Sequence, residues 1–380
     1  MRSLLLGAVL LPQMCSAQGI DSIRFHSSAF GMERAVVVRT PEFHRYASAE
    51  VRLPVIILLD GQHDWFVDPL VNDIRFLEFT HEVPQCIVVT IPLKDRVNEL
   101  GQDSIDQPTM PLLDLLTKEL PPLLAHYHPS DLTILVGHSF GASFSLFAFL
   151  KAPEAFDAII ALSPLHQMPL LAPLVATELE KSTNKRVYVA LGGAERLKDG
   201  GHYDRVAPVM NGVDRARIGD QLVYREYPSA GHTSLPIIAF PDLLATLFTP
   251  YSIRDSLCPV NDEYELTTAP PSPAELMQDV DASHEFLGST IPWDVAEING
   301  SASRLLNSGY NEHALAVYQR GVQLYPKLYE FHWSVGELLL ESDRQAGLVA
   351  LNEALSLLER EEATMPDRDA VRAEIRSLMK

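Results

Sequence analysis

A serine hydroxyl becomes a nucleophile only when a neighbouring base takes its proton, and the usual base is a histidine steadied by a carboxylate. The segment 135-LVGHSFGASFSLFAFL-150 offers such a serine. Ser139 is the centre of a G-x-S-x-G pattern bounded by Gly137 and Gly141. The glycines remove Cβ atoms that would clash where a strand reverses sharply into a helix, which thrusts the serine out at the strand's carboxyl end. The bare pattern arises by chance about once in ten chains of this length, so its surroundings decide. A strand-like 132-LTILV-136 precedes it and a helix-like 142-ASFSLFAFL-150 follows, as the turn requires.

The partners should follow in chain order, an acid after one later strand and a histidine after the last. His232, in 229-SAGHTSLP-236, follows the strand-like 222-LVYREYP-228 and takes the histidine's place. His202 precedes that strand, and His284, His313 and His332 fall in a helical C-terminal part, where packing or surface roles suit them. For the acid, 186-RVYVALGG-193 leads into a loop with Glu195, Asp199 and Asp204. Glu195 is nearest the strand end, where a fixed backbone aims a carboxylate best, and it leads with Asp199 next. An oxyanion would need two preorganised backbone N–H groups. One is that of Phe140, after the nucleophile, and the other comes from 60-DGQHDWF-66, either Gly61 or Gln62. The side chains of Gln62, His63 and Trp65 are candidates to line the pocket, and His138, next to the serine, is a candidate substrate contact.

These residues need a scaffold that brings strand ends together. Apolar runs recur at 35-AVVVR-39, 55-VIILLD-60, 86-CIVVTIP-92, 133-TILVG-137, 158-AIIALS-163, 187-VYVALG-192 and 222-LVYREYP-228. They are continuously hydrophobic, as strands covered on both faces are. Helical spacing fills the gaps, as in 110-MPLLDLLTKELPPLLAHY-127, so an α/β domain with a mostly parallel sheet is expected over 18–250. Residues 251–275 read as a linker rich in Pro, Asp, Ser and Thr, and 276–380 as a helical domain. There, 309-GYNEHALAVYQRGVQLYP-326 and the following segment with Gly336, Gly347, Leu351 and Ala354 repeat at about 33 to 34 residues, which resembles a short tetratricopeptide array. Two such repeats are fewer than the three usually needed for stability, so this region should pack on the larger domain.

Across 380 residues the chain carries 50 acidic against 30 basic side chains, a formal charge of −20. With no basic excess to displace counterions, binding to nucleic acid or to an anionic membrane is not expected. The N-terminus has Arg2, an apolar run Leu4–Leu11 and the small residues Cys15-Ser16-Ala17, the layout of a secretory signal cleaved after Ala17. That run is too short for a bilayer that needs about 20 residues, so a secreted or periplasmic protein without a retained span is expected. Cys86 and Cys258 then remain, and the sequence leaves their pairing open. No phosphate-cradling glycine loop occurs and 126-HYH-128 lacks convincing ligand spacing, so no metal or organic cofactor is implied.

Taken together, 58-LLDGQ-62, 136-VGHSFGASFSLFAFL-150, 158-AIIALSP-164, 190-ALGGAE-195 and 229-SAGHTSLP-236 resemble one esterase branch of the α/β-hydrolases. That branch includes enterochelin and other siderophore esterases, esterase D-like enzymes and feruloyl esterases. The resemblance covers about residues 20 to 250. It implies the α/β-hydrolase fold and serine ester hydrolysis of a small molecule, with Ser139, Glu195 and His232 as the triad. Where relatives carry an Asn- and Arg-rich acidic segment after the fourth strand, this chain has 91-IPLKDRVNELG-101, and Arg96 is the nearest counterpart for substrate binding. Two other readings are an acyltransferase of the same fold, and a protein-binding repeat region carried on a non-catalytic hydrolase scaffold.

Overall fold

The computed structural model describes residues 19–101, 106, 110–198, 202–252, 258–262, 265–361 and 367–380. The expected signal segment, Met1–Ala17, and Asp199 lie outside the described residues. Eight strands form one sheet: β1 Gly19–Ser27, β2 Met32–Thr40, β3 Leu53–Leu58, β4 Ile87–Thr90, β5 Pro129–His138, β6 Ala158–Leu162, β7 Arg186–Gly192 and β8 Leu222–Tyr227. Their order is β1-β2-β4-β3-β5-β6-β7-β8. β2 pairs antiparallel with β1 and β4, and every pairing from β4 through β8 is parallel. This topology, with helices on both faces, is the α/β-hydrolase fold.

The central strands read as unbroken apolar runs because alternate residues serve two separate cores. Val55, Ile57, Leu135, Ile159 and Val189 face one side, with Phe144 and Phe147 of the helix Phe140–Lys151 and Leu171 and Val175 of Met168–Leu179. Ile56, Leu58, Ile134, Val136 and Ile160 face the other, with Phe66, Leu70 and Ile74 of Asp64–Phe79 and Phe240 and Leu243 of Leu235–Leu247. Two features depart from the sequence reading. β1 is an edge strand, mostly exposed, and its polar residues gave no apolar signal. The stretch expected as one helix over 110–127 is broken into the helix Pro111–Asp114, a π turn Leu115–Glu119, the helix Leu120–Leu124 and a 3-10 turn Ala125–Tyr127. Pro121 and Pro122 have no N–H to donate back to the preceding turn, so regular pairing cannot run through them.

The C-terminal part contains the helices Pro273–Ser283, Val295–Asn307, Asn311–Leu324, Tyr329–Leu339, Arg344–Arg360 and Arg368–Leu378. Two of them begin with a full capping box, Ser272 with Glu275 and Asp294 with Glu297, which satisfies backbone donors that the first turn leaves without an intrahelical acceptor. Between these two helices lies a small antiparallel pair, Glu285–Phe286 with Ser289–Thr290, in a stretch expected to be wholly helical. Gly336 and Gly347 allow the helices Tyr329–Leu339 and Arg344–Arg360 to touch. A Cβ on Gly336 would stand 2.7 Å from Leu351 Cγ, and one on Gly347 2.9 Å from the Gly336 carbonyl.

This region does pack on the larger domain. Ile298, Val317 and Phe331 belong to the same apolar core as the sheet face, and the Phe286 ring lies 5.1 Å from that of the fully buried Phe248. Ser48 N–H donates to the Leu324 carbonyl at 2.7 Å, and Tyr251 Oη to Asp294 at 3.2 Å. No disulfide joins Cys86 and Cys258, both buried. Among the described residues no helix is long and apolar enough to cross a membrane.

Candidate active site

Ser139 sits between the end of β5 and the helix Phe140–Lys151 with φ 60° and ψ −118°. A non-glycine residue holds such a conformation at a cost of about 1–3 kcal/mol, and only where its surroundings fix it. They do so here: Ser139 N–H donates to the Leu162 carbonyl of β6 at 2.8 Å. A Cβ on Gly137 would fall 2.2 Å from the Gly141 carbonyl oxygen, so that position admits no side chain.

Glu195 opens a short helix just after β7 and is fully buried. Its Oε1 accepts from Gly192 N–H at 2.9 Å and from the Ser163 hydroxyl. Its Oε2 accepts from His232 Nδ1 at 3.0 Å. Gly192 is required because a Cβ there would stand 2.4 Å from the Ala230 carbonyl oxygen and 2.8 Å from Glu195 Oε1. Burial raises the proton affinity of this carboxyl, but the bonds from His232, Ser163 and Gly192 together outweigh it and hold the group below the usual carboxylate range. A charged Glu195 must accept, so the His232 proton sits on Nδ1 and Nε2 keeps its lone pair.

His138 anchors the His232 loop from the other side. Its Nε2–H donates to the His232 carbonyl at 2.9 Å, and its ring stacks on Phe66, meets Trp65 edge-on and lies 4.7 Å from the His232 ring. Burial, reinforced by the neighbouring His232, pushes its imidazole down to about 4, so it stays neutral near pH 7. Its ring nitrogen is thus committed to the backbone, and its place is support of the histidine loop more than substrate contact.

Ser139, His232, His138, His63, Trp65 and Arg96 line one open cleft of about 260 Å³. Arg96 is already engaged. Its Nε and Nη2 grip the buried Asp60 at 2.6 and 2.9 Å, and Nη2 also donates to the His138 carbonyl at 3.2 Å. Asp60, at φ 60°, also accepts from Gln62 Nε2 at 3.1 Å, while Gln62 Oε1 accepts from Leu93 N–H at 2.8 Å. This network fixes the loop after β3. Of the two oxyanion candidates on that loop, Gly61 is corrected, because its N–H donates to the Ile91 carbonyl at 2.9 Å. Among the described residues, Gln62 N–H has no acceptor. Asp204 is exposed in the first turn of the helix Tyr203–Gly212, whereas the carboxylate bonded to His232 is that of Glu195.

Three residues escaped the sequence reading. In the sequence Asp60 shows only as a strand end, Ser163 only as part of 158-AIIALSP-164, and His202 only as a histidine that precedes β8. In the structure His202 is buried, with Nε2 3.3 Å from Glu195 Oε2.

Comparison with known proteins settles the class. The sequence matches the family described as Putative esterase over residues 27–227, more than half of the chain. The chain belongs to this esterase family. It is therefore a carboxylic ester hydrolase. No curated protein matches it significantly. An uncharacterised protein from Capnocytophaga ochracea superposes with a TM-score of 0.57 at 15% identity, covering 95% of this chain and 99% of the other. An IroE-like serine hydrolase from Shewanella oneidensis superposes with a TM-score of 0.61 at 19% identity, covering 80% of this chain and 98% of the other. The enterobactin esterase FES from Shigella flexneri gives a TM-score of 0.45 at 20% identity over 61% of each chain. The first two likenesses speak for the fold, and the first extends through nearly the whole chain, helical region included.

Proposed function

We propose that this chain is a secreted or periplasmic esterase that acts by a serine mechanism. Ser139 Oγ attacks the ester carbonyl, His232 Nε2 takes its proton, and Glu195 stabilises the imidazolium that results. The N–H groups of Phe140 and Gln62 receive the oxyanion. His232 then returns the proton to the leaving alkoxide, the alcohol departs, and water repeats the sequence to release the acid from Ser139. The observation that carries this reading is the buried Glu195 holding His232 Nδ1 at 3.0 Å while the same imidazole borders the cleft of Ser139.

The substrate is a small ester, and the resemblance of 136-VGHSFGASFSLFAFL-150 and 229-SAGHTSLP-236 to siderophore and feruloyl esterases makes those esters the first to try. Trp65, half exposed at the cleft, offers a flat surface for an aromatic group. The signal-like Arg2, Leu4–Leu11 and Cys15–Ala17 support export. The helical region is proposed as a tetratricopeptide-like pair of repeats, supported by the close helix approaches at Gly321, Gly336 and Gly347. The test is hydrolysis of short-acyl, feruloyl and siderophore esters by the wild type, Ser139→Ala and His232→Ala. Hydrolysis abolished in both variants is expected, and wild-type rates in either would refute the mechanism.

A further inference from the structure

A catalytic carboxylate needs one imidazole, yet Glu195 has two. His232 Nδ1 lies 3.0 Å and His202 Nε2 3.3 Å from the same Oε2. The two rings stand edge to face, with centroids 5.5 Å apart at 87°. The mechanism above uses His232 and leaves His202 without a task.

We infer that Glu195, His202 and His232 form a binding site for a zinc-class divalent metal ion, and that its occupancy switches the esterase off. The three ligand atoms lie within 4.8 Å of one another. Tetrahedral zinc, with nitrogen and oxygen ligands at about 2.0–2.2 Å, holds its donor atoms roughly 3.3 Å apart. Two of the contacts, at 3.0 and 3.3 Å, are already near that spacing, and the third pair lies within 4.8 Å. Two imidazoles with one carboxylate and an open fourth position are a known zinc donor set, and the nitrogens select against magnesium and calcium. The carboxylate is also oriented from behind, since Oε1 accepts from Ser163 and Gly192 as metal-bound carboxylates are usually held.

The inhibition part rests on the serine mechanism proposed above; the binding part does not. In the working enzyme His232 carries its proton on Nδ1 and offers the Nε2 lone pair to Ser139. A metal takes the Nδ1 lone pair, the Nδ1 proton leaves to water, and Nε2 takes one proton from water. The imidazole stays neutral, but its Nε2 is now an N–H and cannot receive the serine proton. Charge and protons balance, and no oxidant or further reagent is needed.

The test uses the full-length, metal-free protein and zinc alone, titrated against a chromogenic zinc indicator and, separately, during ester hydrolysis. The wild type should bind one tight equivalent and lose activity reversibly, with recovery on adding a chelator. Ser139→Ala should bind zinc as the wild type does. His202→Gln, close in size to the original, should weaken zinc binding by at least the roughly 10- to 100-fold that loss of a mere outer-shell partner costs, and its hydrolysis should resist zinc in proportion. Glu195→Gln should weaken binding similarly and serves as a second variant if the first misfolds. Wild-type zinc affinity in both variants, or no tight equivalent in the wild type, overturns the inference. Tight binding that depends on His202 in a wild type that hydrolyses no ester would sustain the metal site and sink the serine mechanism instead.

Discussion

Asp60→Asn removes one charge from the loop that carries Gln62 and should cost both stability and rate. Asparagine has the same shape and tolerates the φ of 60° at this position, so backbone strain is not the issue. What changes is the pairing with Arg96, whose Nε and Nη2 now contact both carboxylate oxygens at 2.6 and 2.9 Å. An amide presents its NH2 to a guanidinium that has only donors, so one of the two bonds becomes a donor–donor clash. Breaking a buried pair by removing one partner costs about 3–5 kcal/mol. The Asp60 side chain is 3% exposed but that of Arg96 is 28% exposed, so water takes up part of the orphaned cation, and about 2–3 kcal/mol is expected. Urea unfolding should show a lower midpoint at an unchanged m-value. Because the amide NH2 repels Arg96 Nη2 while the one remaining oxygen still holds Gln62 Nε2, the loop carrying Gln62 shifts with its partner, and kcat/KM for a short p-nitrophenyl ester should fall by about 10-fold or more; misplacement by 1 Å can cost about 100-fold. The double variant Asp60→Asn/Arg96→Met should cost less than the two single variants summed, since neither charge is left alone. Wild-type midpoint and wild-type rate in Asp60→Asn would refute this account of the loop.

Glu195→Gln should lower kcat on the order of 10⁴-fold with little change in KM, as loss of a triad carboxylate does; a loss under 10-fold would exclude Glu195 as the orienting acid. In the wild type Glu195 is held below the usual carboxylate range, so its stabilisation is present above the unfolded pKa near 4.3 and is lost only as pH falls through the lower folded value; urea midpoints of Glu195→Gln and wild type should therefore converge only in that acid range. His138 behaves differently. The unfolded chain takes up its proton near pH 6.5 and the folded protein near pH 4, so from pH 6.5 downward this group destabilises the fold, by about 3 kcal/mol once pH 4 is passed. His138→Gln, which still offers an N–H to the His232 carbonyl, should lose less stability than the wild type between pH 7 and 4.5, and equal losses would contradict the buried neutral imidazole. A chain ending at residue 270 should be recovered aggregated or with strong binding of a hydrophobic dye, because Phe286 covers Phe248 and Ile298, Val317 and Phe331 complete the shared core. A soluble truncation as stable as the full chain would show the helical region to be an independent appendage.

The parallel strands were legible because burial on both faces leaves a continuous apolar run, as in Leu53–Leu58 with every residue buried. β1 was not, since an exposed edge strand has no such constraint on Gly19-Ile20-Asp21-Ser22. In the 110–127 stretch the apolar spacing is helical throughout, and only Pro121 and Pro122 mark the break. In the site, Ser139 announced itself through local turn chemistry, and Glu195 through its nearness to a strand end. Asp60, Ser163 and His202 did not, because each matters through contacts between loops far apart in sequence. Asp60 meets Arg96 across 36 residues, and Ser163 meets Glu195 across 32. The choice between Gly61 and Gln62 also needed tertiary structure, since only the Ile91 carbonyl of a neighbouring strand end reveals which N–H is already spent.

The central claim is that Ser139, activated by His232 and Glu195, is the nucleophile. A fluorophosphonate titration of the folded full-length protein, read by peptide mass spectrometry, tests it most directly. One equivalent of adduct is expected on the peptide containing Ser139, lost in Ser139→Ala and strongly slowed in Glu195→Gln. Absence of labelling in folded wild type, or an adduct on any other residue, would contradict it.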